Sequence, residues 1–294
     1  MTIVSGAKMI QTAREHGYAI GAFNTNNLEW TQAILRAAQA QQAPVLVAVS
    51  MGAIKYMGGA KVVADLVRNL DYGLNITVPV AIHLDHGSYE MAKEAMAAGF
   101  TSIMFDGSDL PIAENILKTK ELVSWAHGRG IAIEAEVGSI GGEEDGIVGA
   151  GEIASIDEAK AMTAVGVDYL AAGIGNIHGQ YPANWTGLKL AHLQALGAAI
   201  DEVRGRPMPI VLHGGSGVPD EQIQEAITYG VAKVNVNTEA QLAFHQAVRD
   251  FVLSDEDLVG KNYDPRKFLK PGVDAIQAAV EERIAVFGSA GKVN

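Results

Sequence analysis

The stretch Val80-Ala81-Ile82-His83-Leu84-Asp85-His86-Gly87 passes from aliphatic to ionisable within a few residues and then meets a glycine. An apolar run that stops at such a point reads as a buried strand, ending at Leu84 and followed by a turn. Two imidazoles and a carboxylate are costly to bury there without partners. Two readings follow. One is a metal ligand with an acid/base group at the mouth of a parallel sheet. The other is a hydrogen-bonded core cluster.

Moving outward, the same rhythm recurs along the chain. Short aliphatic runs at 19–23, 45–49, 78–84, 101–105, 131–137, 169–172, 209–212 and 232–236 each end in Asn, Ser, Asp, His or Gly. Amphipathic segments follow, for example 28–41, 112–129 and 157–165. Eight strand–helix units with no Pro/Ser-rich linker predict a single (β/α)8 TIM barrel, α/β in class, spanning residues 1–294. Additional C-terminal helices are expected at 239–253 and 273–286, joined by a loop at 262–268. An open doubly wound sheet is the alternative, but no strong nucleotide fingerprint supports it.

The composition limits what such a barrel can do. Of 294 residues 48% are hydrophobic and 19% charged, so a large core is available. The formal net charge of −12 argues against binding nucleic acid or an anionic membrane, both of which need a basic face. A small phosphorylated substrate remains compatible, since one local site does not show in the total. The absence of cysteine excludes disulfides, thiolate ligands and a cysteine nucleophile. No apolar run approaches the 18 residues of a membrane span, and residues 1–8 do not resemble a signal peptide. A cytoplasmic protein is the expectation.

Active sites of such barrels lie at the carboxyl ends of the strands. Asn24, Ser50, Asp85, His86, Asp106, Glu134, Glu136, His178, His213, Asn235 and Asn237 all fall at or near those ends. Among the eight histidines, His16, His127, His192 and His245 lie in helical stretches, where a packed or solvated imidazole is ordinary. His86, His178 and His213 follow the third, sixth and seventh strands. Three imidazoles with an open position suit a catalytic zinc; a packed polar cluster is the competing reading. His83, inside its strand, is given a supporting part. Gly214-Gly215-Ser216-Gly217 after the seventh strand and Asn235-Val236-Asn237-Thr238 after the eighth offer backbone N–H groups and a helix N-terminus, the usual place for a phosphate on this fold.

These residues carry a resemblance. The chain resembles the class II, metal-dependent fructose-1,6-bisphosphate aldolases of bacterial type, within the fructose/tagatose-bisphosphate aldolase family. The matching stretches are Gly21-Ala22-Phe23-Asn24-Thr25-Asn26-Asn27, His83-Leu84-Asp85-His86-Gly87, Glu134-Ala135-Glu136-Val137-Gly138, Gly141-Gly142-Glu143-Glu144-Asp145-Gly146, Gly173-Ile174-Gly175-Asn176-Ile177-His178-Gly179, Leu212-His213-Gly214-Gly215-Ser216-Gly217 and Lys233-Val234-Asn235-Val236-Asn237-Thr238-Glu239.

The resemblance implies a glycolytic lyase that cleaves fructose 1,6-bisphosphate to dihydroxyacetone phosphate and glyceraldehyde 3-phosphate. It implies Zn2+ on His86, His178 and His213, with Glu136 beside the metal or as an alternate ligand. It also implies a monovalent cation, Na+ or K+, near the phosphate. Asp85 would take the C4 hydroxyl proton, and Glu144, on a mobile loop over 138–151, would exchange the proton at C3. Gly179, Gly214, Ser216, Asn237 and Thr238 would cradle one phosphate, while Asn24 and Asn235 would orient substrate. Ser50, Arg266 and, from a neighbouring subunit, Arg249 would reach the far phosphate. A homodimer or homotetramer is expected.

Some relatives carry a lysine just after the second metal histidine, where this chain reads Gln180-Tyr181-Pro182-Ala183-Asn184-Trp185. That departure bears on the far phosphate and on the choice between fructose and tagatose bisphosphate, of which fructose is favoured. A Schiff-base mechanism needs a buried strand lysine. The only one, Lys233, sits at the start of its strand and reads as structural. A non-catalytic sugar-phosphate-binding subunit should lack a histidine or the aspartate. A metal-dependent hydrolase should carry His-x-His at the first strand, where this chain has Phe23-Asn24-Thr25.

Overall fold

The computed structural model describes residues 2–144 and 147–293. The strands are β1 (Ile20–Asn24), β2 (Val45–Ser50), β3 (Val80–Gly87), β4 (Ser102–Phe105), β5 (Ala132–Val137), β6 (Gly141–Glu144), β7 (Ile147–Gly149), β8 (Tyr169–Ala172), β9 (Ile177–His178), β10 (Ile210–Leu212) and β11 (Val231–Val236). The helices are α1 (Gly6–His16), α2 (Leu28–Ala40), α3 (Met51–Met57), α4 (Ala60–Gly73), α5 (Tyr89–Ala98), α6 (Ile112–His127), α7 (Ile156–Ala164), α8 (Leu190–Arg204), α9 (Asp220–Thr228), α10 (Thr238–Leu253), α11 (Pro265–Phe268) and α12 (Lys270–Val286). Eight strands close a parallel barrel in the order β1-β11-β10-β8-β5-β4-β3-β2, the predicted (β/α)8 TIM barrel.

Strand periodicity positions the site. Successive side chains alternate between the barrel interior and the helical layer. Phe23, Val45, Val47, Val49, Val80, Ile82 and Leu84 point outward and form one apolar cluster with the surrounding helices. Ala22, Leu46, Ala48, Ala81, Ala132, Ala171 and Val211 point inward into a second cluster. Read upward, the interior series turns polar at a fixed level: Ala22 to Asn24, Ala48 to Ser50, Ala81 through His83 to Asp85, Ala132 through Glu134 to Glu136. The amino end of the barrel is closed by α1, whose Met9, Ile10 and Ala13 pack on that inner cluster. Each large aliphatic side chain so buried contributes roughly 1.5–3 kcal/mol.

Helix starts lie just beyond the strand ends. Asn27, Ser50, Ser88 and Ser155 each accept a backbone N–H at the N-terminus of the helix that follows, worth about 1 kcal/mol apiece.

Four elements depart from expectation. β3 does not stop at Leu84 but runs through His86 to Gly87. Residues 138–151, expected as a mobile loop, contain an antiparallel hairpin of β6 and β7, and β9 pairs parallel to β6. The expected loop at 262–268 contains the short helix α11. The last helix starts at Lys270, ahead of the expected 273, with Pro271 in its first turn, where a missing N–H costs nothing. Among the described residues no helix is long and apolar enough to cross a membrane.

Candidate metal centre and substrate cavity

His213 follows β10 and is fully buried. His178 ends β9, held beside Gly142 by the pairing with β6. His86 reaches the same place by a different route. Alternation turns Asp85 inward, so its neighbour should point outward. Instead His86 has φ +46°, and the β3–β4 register shifts between Leu84 and Gly87. This local bulge turns both neighbours into the site. The left-handed backbone of a non-glycine residue costs of order 1–3 kcal/mol.

One nitrogen from each of the three imidazoles lies within 4.8 Å of the other two. The outer nitrogens of two rings are already engaged: His86 Nδ1 lies 2.7 Å from Asp106 Oδ2, and His213 Nε2 lies 2.9 Å from Glu134 Oε1. Each outer nitrogen therefore donates its N–H to a carboxylate. The inner pair, His86 Nε2 and His213 Nδ1, then face one another as lone pairs 3.0 Å apart. Two acceptors at that distance need a proton or a cation between them. Burial, and next the charge of His86, hold the His213 imidazolium well below its ordinary pKa, so that ring is neutral, as a metal ligand must be. The donor set fits a divalent transition metal with one position left open.

Asp85 is buried beside this centre, its Oδ1 3.8 Å from His213 Nδ1. Asn24 donates to Asp85 Oδ2 at 2.8 Å and Asn235 to Oδ1 at 2.9 Å. Burial alone would raise this carboxyl. Positive charge on its neighbours, with the Asn24 hydrogen bond, outweighs it and brings the pKa down to about 2. Asp85 is thus an ionised acceptor held by two amides.

Glu136 differs. Burial, then the nearby Asp106 charge, push its carboxyl well above the ordinary range. Its Oε1 accepts the Ile140 N–H at 3.3 Å. Among the described residues its Oε2 is buried without a hydrogen-bond partner, 3.9 Å from His86 Nδ1. With His86 and Asp106 it forms a second set of ligand atoms close enough to share an ion.

Two cavities meet at His178. One is lined by Asn24, Asp85, Glu143, Gly179, Gly214, Ser216, Asn235, Asn237 and Thr238. Gly214 has φ +64°, and a Cβ there would strike the Ile177 backbone, so glycine is required. Ser216 Oγ accepts the N–H of Asn237 at 3.3 Å and of Glu239 at 3.2 Å, tying this turn to the start of α10. The second cavity is lined by Ser50, His86, Asp106, Ser108, Glu136 and residues of the hairpin.

The structure thus gathers Asn24, Asp85, His86, Glu136, His178, Gly179, His213, Gly214, Ser216, Asn235, Asn237 and Thr238 at one end of the barrel, with Ser50 in the adjoining cavity. One expected residue is not brought there: Arg266, in α11, is exposed and bonded to Asp264 at the helix N-terminus. Arg249, expected from a neighbouring subunit, is exposed on α10. The side chain of Glu144 lies outside the described residues; its neighbour Glu143 lines the first cavity. Three residues at the site have no role assigned from sequence: Asp106 and Glu134, placed at strand ends, and Lys233, read as structural. Lys233 is not at the wrong end. Its Nζ is fully buried in the interior and reaches Glu134 Oε2 at 2.8 Å. The signal available for Asp106 and Glu134 was their position at strand ends on the inward face.

Fold and site together define a metal-dependent barrel enzyme built to hold a small anionic substrate. Residues 4–292 match the family "Fructose-bisphosphate aldolase class-II", and the chain belongs to that family, whose enzymes are metal-dependent. It is 63% identical over 297 residues to a fructose-bisphosphate aldolase of Streptococcus pyogenes serotype M1, covering 99% of this chain and 100% of that one. It is 49% identical to a fructose-bisphosphate aldolase of Mycoplasma pneumoniae, covering 99% of each. The crystal structure of the YdjI aldolase from Escherichia coli K12 superposes with a TM-score of 0.81 at 29% identity, over 99% of this chain and 100% of that one.

Proposed function

We propose that this lyase reversibly cleaves fructose 1,6-bisphosphate to dihydroxyacetone phosphate and glyceraldehyde 3-phosphate, with Zn2+ held by His86, His178 and His213. The observation that carries the reading is the ionised Asp85 set 3.8 Å from a histidine nitrogen that itself faces a second imidazole lone pair. Zinc bound there would act as a Lewis acid, stabilising the negative charge left on the ketone fragment when C3–C4 breaks.

The rest falls to the chain's own residues. Asp85 accepts the C4 hydroxyl proton as the bond breaks. Asn24 and Asn235 hold its two oxygens and keep it from rotating away. A carboxylate of the hairpin, Glu144, returns a proton to C3. One phosphate rests on Gly179, Gly214, Ser216, Asn237 and Thr238, at the start of α10, where backbone N–H groups and the helix dipole favour an anion; Na+ or K+ balances charge beside it. The other phosphate extends into the second cavity toward Ser50, with Arg266 and a neighbouring subunit's Arg249 closing on it. Glu136 serves as an alternate metal ligand. Homodimer or homotetramer formation would supply Arg249, and the exposed Leu242, Val252 and Leu253 of the same helix suit burial between copies.

The test is kinetics with both fructose and tagatose bisphosphates, before and after chelation. Cleavage of fructose bisphosphate should be preferred, abolished by chelator and restored by zinc. Activity surviving complete metal removal, with borohydride trapping a lysine adduct, would sink the reading.

A further inference from the structure

Below the metal centre runs a buried polar chain that the reaction itself does not use. His213 Nε2 contacts Glu134 Oε1 at 2.9 Å, and Glu134 Oε2 contacts Lys233 Nζ at 2.8 Å. His83 Nε2 stands 3.5 Å from the same Oε2, and His83 Nδ1 is 2.7 Å from Ser102 Oγ, which bonds Tyr169 Oη. The side chains of His213, Glu134 and Lys233 are all 0% exposed. Water therefore cannot exchange with any of them, and each contact has to be satisfied inside the protein.

The donor count is the decisive feature. An ammonium has three donors and no acceptor, so the atom facing Lys233 must accept. A carboxylate accepts at both oxygens, which leaves Oε1 free to take a proton-bearing nitrogen of His213. The tautomer follows: Nε2 carries the hydrogen, and Nδ1 turns its lone pair to the metal position. We propose that Glu134 and Lys233 are a positioning pair that sets the tautomer of His213 and through it the affinity for the metal. This rests on His213 being a ligand. His86 has a different arrangement, its outer nitrogen on Asp106 at 2.7 Å and near Glu136 at 3.9 Å, partly open to solvent.

The pair predicts a counterintuitive result. In Glu134→Gln, Lys233 claims the amide oxygen. The amide NH2 is then left facing His213 Nε2, which must accept. The proton moves to Nδ1, where it blocks the metal. Removing the lysine as well frees the amide to turn its oxygen to Nε2–H, so the second substitution repairs the first.

The experiment is zinc affinity by competition with a chromophoric chelator, together with 15N NMR of the His213 ring in metal-free protein. Glu134→Gln should weaken zinc by about 100-fold, the upper range for a lost partner of a metal ligand, and shift the 15N pattern to the Nδ1–H tautomer. Glu134→Gln with Lys233→Met should bind within about tenfold of wild type and restore the Nε2–H pattern. Glu134→Leu with Lys233→Met, apolar and lacking an acceptor, should bind as poorly as the single Gln variant. This last pair of double variants carries the test even if Glu134→Gln does not fold. Equal zinc affinity in the two double variants, or an unchanged tautomer in Glu134→Gln, would overturn the proposal. Failure of the wild-type protein to bind zinc would instead strike at the metal reading.

Discussion

The lower and upper halves of the barrel interior are made by the same strands and behave differently. Below, Ala22, Ala48, Ala81, Ala132 and Ala171 pack with Leu46, Ile20 and the face of α1. Above, one inward step along each strand, stand Asn24, Ser50, His83 with Asp85, and Glu134 with Glu136. The lower layer holds small side chains because inward space is scarce near the barrel axis. The upper layer holds polar groups because each finds a partner there: Asp85 accepts from two amides, Asp106 and Glu134 accept from His86 and His213, and Glu134 pairs with Lys233. Stability and chemistry thus occupy adjacent levels of one sheet, and substitutions in the two should be separable.

The sharpest break lies in the upper layer. Asp85→Ala should lower kcat by about 10²–10⁴-fold, the usual range for a lost acid/base group, while zinc remains bound; near-normal turnover would remove Asp85 from the mechanism. His213→Ala comes next. It should strip stoichiometric zinc, read by metal analysis after gel filtration, and activity should return only with a large excess of metal.

In the lower layer Ala48→Leu should cost about 1–3 kcal/mol by overpacking, seen as a reduced denaturation midpoint, with the metal affinity of the folded protein intact. A matching loss of metal affinity would show that the layers are coupled.

The smallest effect concerns Glu136. Its folded-state pKa lies well above the model-peptide value of 4.5. In that interval the folded protein binds more protons than the unfolded one, so the group's contribution is fully present below pH 4.5 and is lost as pH rises toward its folded value. Glu136→Gln removes that dependence. The metal-free variant should therefore gain on wild type between pH 5 and 8, by about 2–4 °C of melting temperature if the gain is near 1 kcal/mol, and gain nothing at pH 4. A constant difference across pH would reject this account.

Much of this was readable beforehand because it depends on local period. The eight strands, their carboxyl ends and the histidines after them follow from alternation and from glycine. What was not readable depends on partners across the barrel. Glu134 and His213 are 79 residues apart, and Lys233 is 99 from Glu134. Strand alternation says that each faces inward, but not which neighbour it meets. Lys233 was placed by where its Cα enters the strand, although a four-carbon stem carries the charge well above that level. The hairpin was obscured by its composition, since glycine and acidic residues are poor strand formers in isolation and its order comes from pairing with β9. His86 was expected beyond a strand end; only the backbone shows that it lies within the strand and is turned.

That turn has a consequence for how firmly the reacting groups are spaced. Asp85 and His86 are consecutive, so one trans peptide unit, about 3.8 Å between Cα atoms, separates the proposed base from a proposed metal ligand. A peptide plane is among the stiffest links a protein possesses. When the barrel breathes or a neighbouring strand shifts, the two Cα atoms keep that separation, so the carboxylate that Asn24 and Asn235 hold in place moves with the imidazole beside it.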